Sequence, residues 1–78
     1  MIRAFILIKA QTEGGQSGIK TVVEEVKSLQ SVVETHRILG PFDVLIKTET
    51  ETMDELTDLI DTIRNIYGAK ETATYLTH

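Results

Sequence analysis

One carboxylate stands at an unusual place in this sequence. Asp43 closes the run Leu39-Gly40-Pro41-Phe42-Asp43 and opens the apolar run Val44-Leu45-Ile46. A carboxylate at the mouth of an apolar strand can accept hydrogen bonds from a cationic ligand. Gly40 permits close backbone approach. Pro41 fixes the turn and biases Gly40 towards an extended conformation. Gly, Pro and Asp are also ordinary turn residues, so these residue types alone leave a binding turn and a plain turn equally open.

The other groups able to do chemistry are scattered. His36 falls in a polar strand-like stretch and His78 is the last residue; nothing pairs with either in sequence. Gly14-Gly15-Gln16-Ser17-Gly18 precedes a helical pattern and could hold an anion at a helix N-terminus, but it lacks the Lys-Ser/Thr ending of a phosphate loop and reads as a flexible connection. Glu49, Glu51, Asp54, Glu55, Asp58 and Asp61 gather around a helix start, where negative charge complements the helix dipole. Their spacing does not match a calcium loop. The sequence offers no paired His, no Cys and no HExxH, so the reading is of a non-enzymatic protein with no catalytic residue, cofactor or metal.

Composition narrows the class further. The chain has 78 residues, read as a single domain over 1–78. Such a small domain builds a modest core, and without disulfides or a metal the usual aid is oligomerisation. Eight Lys plus Arg against twelve Asp plus Glu give a net charge of −4, with no basic run. That argues against direct nucleic-acid binding, which needs concentrated positive charge. The longest apolar run, Ala4 to Ile8, is far short of the ~20 residues of a membrane span. Met1-Ile2-Arg3 leads straight into a strand pattern, without signal-peptide architecture, so a cytoplasmic location is expected.

The elements that must position Asp43 follow from periodicity. Ile2 to Ala10 is strand-like, with every even residue apolar and Phe5 and Leu7 among the odd ones. Ile19, Val22, Val23, Val26 and Leu29 make a helical stripe, with Ser17 placed to cap it. Val32 to Leu39 is a polar strand and Phe42 to Thr48 an apolar one. Thr52 and Glu55 form a capping box. Behind it Met53, Leu56, Leu59, Ile60, Ile63 and Tyr67 line one helix face, and Gly68 serves as the stop. Ala69 to Leu76 is the last strand.

The order strand-helix-strand-strand-helix-strand is a doubled β-α-β unit. Right-handed crossovers make it a ferredoxin-like α+β fold (βαββαβ), an antiparallel sheet with strand order four-one-three-two. The apolar first and third strands suit the centre, and the polar second and fourth suit the edges. Both helices must then cover one face. The other face carries Phe5, Leu7 and Leu45, an apolar patch that predicts face-to-face packing in a homodimer. The sheet lacks the aromatic pair with which RNA-binding domains of this topology stack bases.

Taken together, Gly40-Pro41-Phe42-Asp43-Val44-Leu45-Ile46-Lys47 resembles the G-x-x-D-hydrophobic strand of the ligand-sensing (RAM) domain of Lrp/AsnC-type transcription regulators. Ala69-Lys70-Glu71-Thr72-Ala73-Thr74-Tyr75 is similar to that domain's closing strand, and Ser31-Val32-Val33-Glu34 looks like its helix-to-strand passage. Pro41 departs from the polar residue more usual after the glycine. The regulators carry a helix-turn-helix ahead of this module; here Ile2 already begins the first strand, so the chain looks like a stand-alone version. The resemblance implies dimers assembling into higher oligomers. It also implies a small effector, typically a free amino acid, held between dimers near Gly40 and Asp43, with Thr72 and Thr74 as hydroxyl partners and Phe42 lining the pocket. Full-length Lrp/AsnC-type regulators are the implied partners. Asp43→Ala is then expected to weaken effector binding while leaving the fold intact.

Three other readings share the topology. A dimeric α+β-barrel enzyme of the small oxygenase or isomerase type would need a polar pocket between sheet and helices. An ACT-like amino-acid-binding domain would place its ligand near Gln11 to Gly18. A purely structural assembly module would bind nothing.

Overall fold

A computed structural model describes residues 1–11 and 17–77, less the side chain of Ser17. Its elements are β1 (Ile2–Ala10), α1 (Ser17–Lys27), β2 (Val32–Arg37), β3 (Val44–Thr50), α2 (Met53–Arg64) and β4 (Ala69–Leu76). The strands form one sheet in the order β2-β3-β1-β4, each neighbouring pair antiparallel. This is the expected ferredoxin-like arrangement, with the apolar strands inside and the polar ones at the edges.

Alternation along β1 decides what each face does. Ala4, Ile6, Ile8 and Ala10 are buried, and Val44, Ile46, Thr48 and Thr50 of β3 share their side. Onto that face pack Val22 and Val26 of α1 and Leu56, Leu59 and Ile63 of α2. Each large aliphatic side chain taken out of water here contributes about 1.5–3 kcal/mol. The two threonines are compatible with burial because their hydroxyls are satisfied. Thr48 Oγ1 donates to the Ala4 carbonyl at 3.1 Å and Thr50 Oγ1 to the Thr52 carbonyl at 3.2 Å. With those bonds β3 extends to Thr50, two residues beyond the Thr48 expected from polarity.

The strands flanking the Gly40-Pro41 turn are shorter than the sequence suggested. β2 ends at Arg37 rather than Leu39, and β3 begins at Val44 rather than Phe42. Pro41 has no N–H to give a ladder, and the chain leaves the sheet on both sides of it. Two bulges interrupt the pairing. Across β1 and β4 the register passes from Lys9↔Glu71 to Ala10↔Ala69, which makes Lys70 the extra residue; across β2 and β3 the corresponding residue is Val33.

Helix α2 begins as its capping box requires, with a variation. Thr52 Oγ1 accepts from the Glu55 N–H at 3.1 Å, while the Glu55 carboxylate accepts from the N–H of Glu51, one residue before the cap, at 2.9 Å. The helix ends at Arg64, earlier than the expected stop at Gly68. Asn65 ends it: its backbone N–H and its side-chain amide both donate to the Asp61 carbonyl. Tyr67 and Met53, counted in the apolar stripe, are exposed instead. The Ser17 cap and the Gly14 to Gln16 part of the loop lie outside the described residues.

Gly68 has a different task. Its φ is +98°, its carbonyl accepts from the Gln11 N–H at 2.7 Å, and a Cβ there would stand 3.1 Å from the Gly18 carbonyl oxygen. The exit of β1, the start of α1 and the entry to β4 thus converge on it. Gly68→Ala should lower the unfolding free energy by about 1–3 kcal/mol, the cost of holding a non-glycine residue in that conformation. Denaturant titration of both proteins would measure the difference.

Candidate functional site

Residues 38–43 cross from β2 to β3 at the end of the sheet where β1 finishes and β4 starts. The Ile38 N–H donates to the Asp43 carbonyl at 2.9 Å and closes the turn. At its tip Leu39 is fully exposed, and Gly40, with φ +146°, has open space where a Cβ would be. Lys9 Nζ donates to the Pro41 carbonyl at 3.2 Å, so the chain's return is tied to β1.

Asp43 is tied more closely still. Its N–H donates to the Ile8 carbonyl at 3.0 Å, just beyond the last β1–β3 pair, Ile8↔Val44. Two residues along β1, the Ala10 N–H points the same way, to where β3 has already ended. The Asp43 side chain fills that position: Oδ2 accepts from the Ala10 N–H at 2.9 Å. The carboxylate continues the ladder by one bond after the backbone has turned away. It keeps a second oxygen and spare lone pairs, but its first role is to hold β1 to the turn.

The sequence-derived site residues divide into groups. Phe42 and Thr72 line a common groove of about 580 Å³ with Arg64, Ala69, Lys70 and Glu71. Asp43 lines a separate recess of about 360 Å³ with Ile19, Arg37, Ile38 and Leu39. Thr74 lies opposite Ile6 and Thr72 opposite Ile8, so both belong to the helix-covered side of edge strand β4. Thr74 and Gly40 line neither space. Arg64 and Lys70 escaped the sequence reading. Arg64 is in the last turn of α2 and Lys70 is the bulged residue of β4, and no local pattern announces their approach to Phe42.

Phe5, Leu7 and Leu45 do share the uncovered face. Leu7 is opposite Leu45 on one side and Ala73 on the other; Phe5 is between Lys47 and Tyr75. Charges border this patch. Arg3 pairs with Glu49 at 3.3 Å, and Glu34 meets Lys47 at 3.6 Å and His36 at 3.4 Å. His36 is therefore an exposed member of the sheet's rim. Between sheet and helices, where a barrel enzyme would need its polar pocket, the buried polar side chains among the described residues are Thr48 and Thr50. No described group of His, Asp and Glu could hold a metal ion, and no described helix is long and apolar enough to cross a membrane.

Residues 3–77 match the family model of the Lrp/AsnC ligand binding domain. The chain belongs to this family. Among Lrp/AsnC relatives, an uncharacterized HTH-type transcriptional regulator of Pyrococcus horikoshii is 32% identical over 72 residues, 91% of this chain and 47% of that protein. The chain spans about half the length of the curated regulators it matches. The crystal structure of FFRP-DM1 is similar over 100% of both chains, with 28% identity and a TM-score of 0.88. The Neisseria meningitidis transcriptional regulator NMB0573, solved as a complex with L-Met, has a TM-score of 0.87 over 99% of this chain and 49% of its own. At 15% identity that likeness is one of fold. Homocitrate synthase of Sulfolobus acidocaldarius is 34% identical over 56 residues, 72% of this chain but 12% of that enzyme. This Lrp/AsnC domain thus shares a small part of that enzyme's length, and its likeness to the regulators runs through most of the domain.

The Asp43–Ala10 bond alters one expectation. Asp43→Ala leaves a part-buried N–H without its charged acceptor, so the fold does not escape the change. The substitution should cost about 1.5–3 kcal/mol of stability, the usual worth of a hydrogen bond to a charged group. Asp43→Asn, which keeps an acceptor oxygen, should cost less. Urea unfolding of the two variants beside the parent chain would give both values.

Proposed function

We propose that this Lrp/AsnC domain senses a free amino acid or a close analogue without transforming it, at the end of the sheet that carries the Gly40–Asp43 turn. The observation that carries the reading is the groove shared by Phe42 and Thr72, residues thirty positions apart in sequence. A space of about 580 Å³ suits a small molecule. Phe42 offers an apolar wall, and the Thr72 hydroxyl can donate to a carboxylate or accept from an ammonium. Asp43 fixes the turn and keeps one carboxylate oxygen for a ligand, Gly40 leaves its backbone approachable, and Thr74 extends the hydroxyl row along β4. The Neisseria regulator of the same fold, solved with L-Met, supports an amino acid as the class of ligand.

The domain works in this reading as a homodimer, with dimers assembling further. Phe5, Leu7 and Leu45, with Ala73 and Tyr75 beside them, form an apolar centre inside a charged rim on the uncovered face, a pattern suited to pairing with a second copy. Effector binding then shifts the assembly as far as affinity differs between assembly states. Transcription is modulated through full-length Lrp/AsnC-type regulators in the cytoplasm, and this chain, at net charge −4, makes no direct contact with nucleic acid.

Two experiments test the reading. Calorimetric titration with each of the twenty amino acids should find at least one ligand. Thr72→Val should then weaken that ligand by about 1 kcal/mol, as loss of a neutral hydroxyl contact does. If none binds at millimolar concentration, the sensing reading is wrong and a plain assembly module takes its place. Sedimentation at micromolar concentration should give a dimer or a multiple of dimers, and Leu7→Asp should dissociate it by burying an unpaired charge at the seam. A monomeric parent chain would defeat the oligomeric part.

A further inference from the structure

Charge is unevenly distributed over this acidic chain. The ion pairs between charged side chains among the described residues lie on the uncovered face of the sheet and use Arg3 and Lys47. Arg64 and Lys70 both line the groove beside Phe42, and neither belongs to an ion pair among the described residues. Glu71 lines the same groove, yet its register partner is Lys9, whose ammonium is itself beside the turn at the Pro41 carbonyl. Lys70 is the bulged residue of β4, with Ala69 opposite Ala10 and Glu71 opposite Lys9 on either side of it. A bulge re-aims a side chain that regular alternation would have sent elsewhere. Arg64, the last residue of α2, lines the groove from the helix side.

We infer that the groove selects an amino acid with a second carboxylate, an acidic one such as glutamate or aspartate, over its neutral amide. The inference rests on the sensing reading above and adds the ligand's charge to it. A zwitterionic amino acid carries one ammonium and one carboxylate, for which one cation and one carboxylate of the protein suffice. Around the groove Arg64, Lys70 and Lys9 outnumber the carboxylates of Glu71 and Asp43 by one, leaving one positive charge over. A ligand with one ammonium and two carboxylates supplies the missing negative charge. The planar guanidinium of Arg64 can grip a carboxylate through two parallel N–H bonds, which an amide cannot match. The Phe42 ring then borders the methylene chain between the two ends of the ligand. In a protein of net charge −4 such a groove is a local exception to the surrounding field, and it draws anions to one place on the surface.

Calorimetric titration of the whole chain with L-glutamate, L-aspartate, L-glutamine and L-asparagine tests this. At least one acidic amino acid should bind about tenfold or more tighter than its amide, the difference expected of one charge-assisted contact. Arg64→Gln or Lys70→Gln, both exposed positions outside the core, should remove most of that preference, weakening the acidic amino acid about tenfold more than its amide. Equal or tighter binding of the amides overturns the inference. So does an acidic preference that neither substitution changes. If a different amino acid binds and none of these four does, the charge assignment falls and the sensing reading stands. If none of the twenty binds at millimolar concentration, both fall.

Discussion

Ile6 and Ile8 are completely buried in the middle of β1, between β3 on one side and β4 on the other. The rest of the molecule depends on that parity. Because side chains alternate strictly, fixing the even residues of β1 under the helices sends Arg3, Phe5, Leu7 and Lys9 to the opposite face. A slip of one residue would exchange the two sets and put Lys9 into the core. Burial of two isoleucines opposes the slip far more strongly than any polar contact on the outer face favours it. The same parity is transmitted through the pairs Ile6↔Ile46 and Ile8↔Val44 to β3, and through Ile6↔Thr74 and Ile8↔Thr72 to β4. The position of the Thr72 hydroxyl beside the groove is thus a consequence of where Ile8 is buried.

The end of the sheet is organised by a smaller interaction that builds on this one. Once β3 has turned away at Val44, the Ala10 N–H would be left without a ladder partner. The Asp43 side chain supplies it at 2.9 Å. Gly68 ties the next residue, Gln11, through its carbonyl. The backbone donors of Ala10, the last residue of β1, and of Gln11 just after it are therefore held by the two segments that border the groove, the β2–β3 turn and the entry to β4. The scaffold and the candidate site share these atoms, so the carboxylate that first suggested a ligand has a structural duty before any binding one. Family membership makes this an Lrp/AsnC ligand binding domain.

Electrostatics separates the two exposed regions of interest. On the uncovered face, cations and carboxylates are matched around an apolar centre, Arg3 with Glu49 and Lys47 with Glu34. Exposed pairs like these add little stability, about 0–1 kcal/mol each, and in the proposed dimer they contribute register and partner choice. In the groove the cations are not matched in this way, and the apolar contribution comes from Phe42 and Ala69. The first surface is the one proposed to pair with a second copy of the chain, and the second the one proposed to take an acidic ligand.

Much of this was legible in the residues because the signals are local. The alternation of Ile2 to Ala10, the stripe of Val22 and Val26, and the Thr52–Glu55 box express backbone periods and caps that need no distant partner. They fixed the element order, and the contrast between apolar and polar strands fixed the sheet order. The Gly40–Asp43 segment was recognisable as a special turn for the same reason. What the sequence left open was set by contacts between distant positions. Asp43 is bonded to Ala10, thirty-three residues away, and the groove gathers Phe42, Arg64, Lys70 and Thr72 from three separate elements. Tertiary structure also moved the end of α2 from Gly68 to Arg64, because the Asn65 amide could reach back to the Asp61 carbonyl, and it reassigned Gly68 to a crossing of backbones. It made Lys70 a bulge, because β1 and β4 must fit both the Lys9↔Glu71 and the Ala10↔Ala69 pairs. Periodicity is a property of a few consecutive residues, and the sequence alone determined it. Which side chains meet across the end of a sheet depends on register and on where each ladder stops, and only the folded chain decides that.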